Sequence, residues 1–231
     1  MYQCTLIHNK TKLFGTSVLV CFALSTPVVA DDFVITRSDN STNGFGTKNG
    51  GTAAAIANVI NGSDTVSLGI ALTTTGTNVG IKTNNNDTEA QSNTVTVTKT
   101  GSITTGAGNN AYGIFNDGAY NTTTLSGSIT TGGYHAYGIY NEGAFNKTTV
   151  SGSITTGGVD STGIWNRADN NTTTLTSTGV ITVNGAVTDG IYITGVKNIT
   201  TVHGSIFVNG SGASTSGDKS SGIFNEGDDN K

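Results

Sequence analysis

Apolar residues in this chain come singly, flanked by threonine, serine or glycine, and they return at a nearly constant distance. Ile103, Ile129, Ile154, Ile181 and Ile206 are separated by 26, 25, 27 and 25 residues. Val97, Leu125, Val150, Leu175 and Val202 form a second series. A third follows the Gly-Ile dipeptides at Ile81, Ile114, Ile139, Ile164, Ile191 and Ile223. Whole phrases recur with them. Gly101-Ser-Ile-Thr-Thr-Gly returns from Gly127 and again from Gly152, and Ala111-Tyr-Gly-Ile-Phe-Asn returns as Ala136-Tyr-Gly-Ile-Tyr-Asn. Self-similarity at a fixed period is the mark of a repeat architecture, and it decides the fold class before any single residue does.

Each period holds three short β-type segments divided by Gly/Asn/Asp-rich corners. No segment carries a 3.6-residue apolar period, so helices are not expected. Three strands in a coil of about 25 residues predict an all-β fold, a right-handed parallel β-helix whose coils stack at the ordinary strand separation of ~4.8 Å. Alternation sends Ile103 inward and Ser102 and Thr104 outward, and it sets Leu125 and Thr123 on one face against Thr122 and Thr124. Two more columns follow. Asn116, Asn141, Asn166 and Asn225 stand two residues after the repeated isoleucine, where stacked amides can hydrogen-bond from coil to coil. Position 193 is Ile, so that ladder is expected to break there. Phe115, Tyr140, Trp165, Tyr192 and Phe224 directly follow the isoleucine and are expected to face outward.

The first thirty residues have a different pattern. Lys10 and Lys12 precede an apolar run from Leu13 to Leu24, and Val28-Val29-Ala30 supplies small residues before Asp31-Asp32. This is the layout of a secretory signal peptide cleaved after Ala30, and the run is shorter than the ~20 residues of a membrane-spanning helix. The expected division is a signal peptide at 1–30, a solenoid start or cap at 31–75, and the repeat proper at 76–231, ending inside an incomplete coil. Cleavage removes Cys4 and Cys21, the only two cysteines, so disulfides cannot stabilise the mature chain. It also lowers the basic count from 11 to 9 against 15 acidic residues, a net charge of −6. With no basic patch interleaved with aromatics, nucleic acid is not an expected partner. The 33 glycines are about twice the usual share. They do not imply disorder here, because the apolar positions between them are regular and β-branched.

An export leader, a cysteine-free Thr/Asn/Gly-rich body and imperfect Gly-Ser-Ile-Thr-Thr and Tyr-Gly-Ile-Tyr-Asn repeats resemble the β-helical passenger region of bacterial autotransporters, the type V secretion proteins. The resemblance extends over residues 31–231 and rests on texture, not on a signature motif. It implies an outer-membrane or cell-surface protein of a Gram-negative bacterium, often an adhesin or virulence factor, with a host-surface protein or glycan as partner. It also implies a C-terminal outer-membrane β-barrel, and the roughly ten-residue alternating strands of one do not occur here. A fragment of a longer protein, or a truncated and non-functional copy retained in the periplasm, are the alternatives.

Catalytic chemistry is thinly represented. His8, His135 and His203 have no metal-ligand spacing, and neither a Gly-Gly-x-Gly-x-Asp calcium motif nor any cofactor motif occurs, so no metal or cofactor is expected. The rival reading is a β-helical polysaccharide lyase or hydrolase, which needs clustered carboxylates. Asp117 and Glu142 fall in one column with Arg167 next to them, the arrangement of a solvated corner relieved by its cation. The aromatic column (Phe115, Tyr140, Trp165, Tyr192, Phe224) is the candidate binding site, since rings along a rigid scaffold can stack on sugar faces or anchor a protein. The plainer expectation is that the rings cover the flank and pack against corner residues such as Tyr120, Phe145 or Asn170.

Overall fold

The computed structural model describes residues 65–84, 88–210 and 220–231, and before residue 65 only the backbone of short strands. The rest of the expected leader at 1–30, and most of the start at 31–64, lie outside the described residues. The chain divides into two compact units, Met1–Ala30 and Asp31–Lys231. Within the first, Gln3–Leu6 pairs antiparallel with Leu19–Phe22.

The second unit is a β-solenoid of three parallel sheets. In chain order each coil contributes a strand to a threonine sheet (for example Thr122–Leu125), a serine sheet (Ser128–Thr131) and an aromatic sheet (Ile139–Asn141). From Thr65 onward the strands pair in register with their equivalents one coil away: Ile103 on Ile129, Ile129 on Ile154, Leu125 on Val150, Ile139 on Ile164. Coils average about 27 residues, slightly more than the expected 25. The difference lies in the corners, because the step from Ile81 to Ile114 is 33 residues and that from Ile191 to Ile223 is 32. The threonine-sheet strands keep a length of four residues, while the aromatic-sheet strands lengthen from three residues at Ile139–Asn141 to five at Asp189–Ile193. At the N-terminal end the parallel pattern stops in the threonine sheet alone: Asp32–Thr36 lies antiparallel on Thr65–Leu68, while the other two sheets stay parallel. A reversed strand at that position pairs the edge of the threonine sheet without continuing the coil.

Alternation explains the core. In Thr122–Leu125 the burial runs half-buried, buried, half-buried, buried, and Thr94–Val97 and Thr172–Leu175 repeat it. Ile81, Ile103, Ile114, Leu125, Ile129, Ile139, Ile154 and Ile164 are all fully buried. Each contributes about 1.5–3 kcal/mol of apolar burial, and its branched Cβ packs on the like residue of the next coil. The glycine before the aromatic-sheet isoleucine is required by that stacking at Gly80, Gly113, Gly138, Gly163 and Gly190, though not at Gly222 in the last coil. A Cβ on Gly138 would overlap Ile154 and lie 2.5 Å from the Gly163 carbonyl oxygen.

Candidate functional site

The aromatic sheet sets the geometry of its flank. Its strands place isoleucine inward, an aromatic ring outward and asparagine inward. Because equivalent residues lie in register, the rings stack along the solenoid axis. Centroids are 5.1 Å apart for Phe115–Tyr140, 4.8 Å for Tyr140–Trp165, 5.4 Å for Trp165–Tyr192 and 5.5 Å for Tyr192–Phe224. The column is thus continuous, and it differs from the expected outward array in two ways. Its ring faces lie against one another, so solvent meets edges. And Tyr140 is buried, at 5% exposure, while Phe224 at the far end is exposed.

A second, shorter column accounts for the burial of Tyr140. Tyr112 and Tyr137 stack at 5.3 Å, nearly parallel, and meet Phe115, Tyr140 and Trp165 edge to face. Offset and edge-to-face contacts of this kind suit the ring quadrupoles. The packing partners are therefore Tyr112 and Tyr137. Tyr120 and Phe145 stack only with each other, at another corner. The second column continues as Thr162 and Asp189, which the sheet register places after Tyr137.

Burial shapes the chemistry of this flank. It pushes the Tyr112 phenol up to about 12. Burial also raises Tyr137 and Tyr140, and burial with the hydrogen bond to Glu226 raises Tyr192. Asp189 is raised too, by burial, with the hydrogen bonds from Ser221 opposing the shift. Arg167 donates to the Tyr140 hydroxyl at 3.2 Å and bonds Glu142, and both contacts raise its guanidinium.

The column of Asp117, Glu142 and Arg167 is distributed among cations. Lys82 meets Asp117 at 2.7 Å and lies over the Phe115 ring, while Glu142 bonds Arg167. Each carboxylate thus has its own partner, an arrangement that neutralises a corner. His135 contacts Asp160 at 2.5 Å and stacks on Tyr134. Among the described residues no group of three or more His, Cys, Asp or Glu side chains is placed to hold a metal ion.

The asparagines following the rings turn inward and are fully buried at 116, 141 and 166. Asn116 Nδ2 donates to Asn141 Oδ1 at 2.7 Å, and Asn141 Nδ2 to Asn166 Oδ1 at 2.8 Å. The same amides reach across the corner to Thr123, Thr148 and Thr173. Ile193 occupies the next place, opposite Asn166. Asn225 stands beyond it, exposed, and accepts from Asn230 and Gly227 instead.

Sequence reasoning missed a second asparagine ladder, at the corner leading into the threonine sheet. There the Asn121 backbone N–H donates to Asn146 Oδ1, Asn146 N–H to Asn171 Oδ1 and Asn171 N–H to Asn198 Oδ1, each at 2.7 Å. Each of the first three amides also donates to the carbonyl three residues back, as Asn146 does to Gly143 at 2.7 Å. Asn93 and Asn230 extend the ladder at its two ends. The preceding residues, Tyr120, Phe145, Asn170, Lys197 and Asp229, all sit at φ between 57° and 60°. For bulky side chains this region costs about 1–2 kcal/mol, and the ladder holds them there. The signal was present as the asparagine at the head of successive threonine-rich strands, in Asn121-Thr-Thr-Thr, Asn146-Lys-Thr-Thr, Asn171-Thr-Thr-Thr and Asn198-Ile-Thr-Thr.

The chain matches no family model, no curated protein and no solved structure. Its class is therefore defined by its own geometry: a parallel β-solenoid with a stacked aromatic flank and two buried asparagine ladders.

Proposed function

We propose that this chain is the exported β-helical passenger of an autotransporter-like surface protein, and that it works by display and binding, not by catalysis. The observation that carries this reading is a division of labour between faces. Inward columns repeat nearly unchanged, Ile on Ile and Leu on Val, from coil to coil. On the aromatic flank the outward columns vary at each step, Asp117, Glu142, Arg167, Thr194 in one and Phe115, Tyr140, Trp165, Tyr192 in another, whereas outward Ser102, Ser128 and Ser153 of the serine sheet stay the same. A constant scaffold with one variable flank supports recognition there, since specificity resides in exposed side chains on a rigid scaffold. The leader-like residues 1–30 and the absence of cysteine after Cys21 support export. A host-surface glycan or protein is the partner class, and the outer-membrane barrel would be supplied by a full-length form.

The test is fractionation of Gram-negative cells expressing the full chain, with N-terminal sequencing of the product. The expected outcome is a product beginning at Asp31 in the periplasm or outside the cell. An uncleaved cytoplasmic product would overturn the reading. Release of reducing or unsaturated sugars from a polysaccharide panel would replace it with the enzymatic one.

A further inference from the structure

Beside the second asparagine ladder runs a groove of about 460 Å³ that the aromatic flank does not include. Tyr120 and Phe145 form its wall, stacked at 4.8 Å and nearly parallel. Both are held at φ near +60°, in a corner place that later coils fill with Asn170, Lys197 and Asp229. Residues favoured in that conformation are glycine, asparagine and aspartate, so two aromatics in successive coils are the exception. Phe145 is left 43% exposed. The lining continues to Ser92 on one side of the ring pair and Asn170 on the other, so the groove spans four successive coils. At ~4.8 Å per coil that is about 14 Å along the axis.

The polar groups facing this wall narrow the choice of ligand. Glu89 and Lys147 line the groove with opposite charges and, among the described residues, neither enters an ion pair. Their sum favours a neutral ligand over a strongly anionic or cationic one. The floor is the outer face of the threonine sheet, at Thr122 and Thr172. The backbone there is already engaged between coils: Thr122 N–H donates to Asn93 O, Lys147 N–H to Asn121 O and Thr172 N–H to Asn146 O, at 2.8–2.9 Å. A peptide laid in the groove would find no strand edge for its own amides. A sugar brings C–H groups for the edges and outer faces of this stacked ring pair, and hydroxyls for ammonium, carboxylate, amide and threonine groups.

We propose that this groove is a subsite for a neutral oligosaccharide lying along the solenoid axis. Tyr120 and Phe145 carry the apolar contact, and Glu89, Lys147 and Asn170 the hydrogen bonds. The inference rests on the proposal that the chain works by binding, and gives that binding a place and a ligand class.

The repeat supplies its own control, because Asn170 and Thr172 occupy in the next coil the places of Phe145 and Lys147. The double variant F145N/K147T therefore substitutes residues the corner already accommodates. The 231-residue chain is run by affinity electrophoresis through gels containing neutral glucan, mannan or galactan, or polygalacturonate. Retardation by at least one neutral polysaccharide is expected, with at least tenfold weaker affinity in the variant and an unchanged melting curve. No retardation in any neutral gel, retardation by polygalacturonate alone, or equal retardation of wild type and variant would overturn the proposal. The fractionation above is independent. An exported protein with no neutral-glycan affinity sinks only the groove, and a retarded but unexported protein sinks only the surface reading.

Discussion

The two asparagine ladders use the same residue at the same coil interval, yet one stops and the other runs through every described coil. Asn116, Asn141 and Asn166 bond side chain to side chain. Thr83 substitutes for the amide at one end, donating to Asn116 Oδ1 at 3.0 Å, and Ile193 ends the run at the other. The corner ladder instead bonds each side chain to a neighbour's backbone N–H and, in its central coils, to a carbonyl of its own turn. A side-chain partner disappears when its owner is replaced, so the first ladder can be shortened by paired changes. Backbone groups remain whatever the side chain, and when buried they must be satisfied. The second ladder therefore has no substitute for asparagine.

The largest predicted effect follows from that difference. Asn146→Ala removes the acceptor for the Asn121 N–H and the donor for the Gly143 carbonyl. At about 1–3 kcal/mol for the buried Asn121 N–H, and less for the carbonyl of half-buried Gly143, the cost is about 3 kcal/mol. Asn141→Ala leaves Asn116 its bond to Thr123 and orphans no backbone group, so about 2 kcal/mol is expected. Urea midpoints of the two variants decide the matter: an Asn141→Ala loss equal to or above that of Asn146→Ala would erase the distinction between the ladders.

Neither asparagine ladder contains a titratable group, so pH isolates the aromatic flank beside the first. The Tyr112 phenol rises from 10.0 to about 12 through burial. A raised value means the neutral form is favoured in the folded state. Its stabilisation is complete below pH 10 and is lost as pH rises through about 12. Tyr137, Tyr140 and Tyr192 shift in the same direction. Phenolate absorbance and far-ultraviolet dichroism are expected to change together above pH 10, and Tyr112→Phe to reduce the loss. Half-titration of all the phenols near pH 10, with the β-signal intact, would show that the rings are not packed as described.

The inner columns were legible in the sequence because one isoleucine per coil at a steady interval needs nothing beyond alternation to be placed. Ile103, Ile129 and Ile154 are in register as expected. What could not be read depended on direction and on breaks in the period. The order Phe115, Tyr140, Trp165 gives a column, but only register and backbone pitch turn the ring faces against each other. Tyr112 and Tyr137 occur in just two coils, so no periodicity flagged the packing that buries Tyr140. The corner ladder was hidden in plain composition: Asn121, Asn146 and Asn171 precede threonine runs and look like ordinary turn residues. Asn225 matched the letter of the first ladder, but Ile193 separates it from the others.

A smaller effect belongs to Asp189, which replaces an aromatic in the second ring column. Burial raises its carboxyl above the ordinary 3.8, so the protonated form is favoured on folding. Its contribution is complete below that value and lost as pH rises through the folded one. Asp189→Asn keeps an acceptor for the Ser221 N–H, which now bonds Oδ1 at 2.8 Å. The variant is expected to be more stable at neutral pH by less than about 1 kcal/mol, because solvent screens a half-exposed group. The advantage should vanish in acid. An equal advantage at low and neutral pH would mean that charge is not its origin.

The smallest effect tests where the first ladder ends. In three coils the inward asparagine is matched, seven residues on, by an inward threonine it bonds: Thr123, Thr148 and Thr173. The next threonine is Thr200, in register with Thr173, and the residue seven before it is Ile193. Its hydroxyl is accordingly buried without a hydrogen-bond partner. Thr200→Val keeps the shape and the β-branched fit while removing the unpaired oxygen. A gain of about 0.5 kcal/mol is expected, at the low end because the residue as a whole is only partly buried. Thr173→Val, the same change one coil earlier, breaks the bond from Asn166 and should cost about 1 kcal/mol. Opposite signs at two stacked threonines would locate the break at Ile193 by energy as well as by geometry. Matching signs would mean that the asparagine-to-threonine bond contributes nothing at this break.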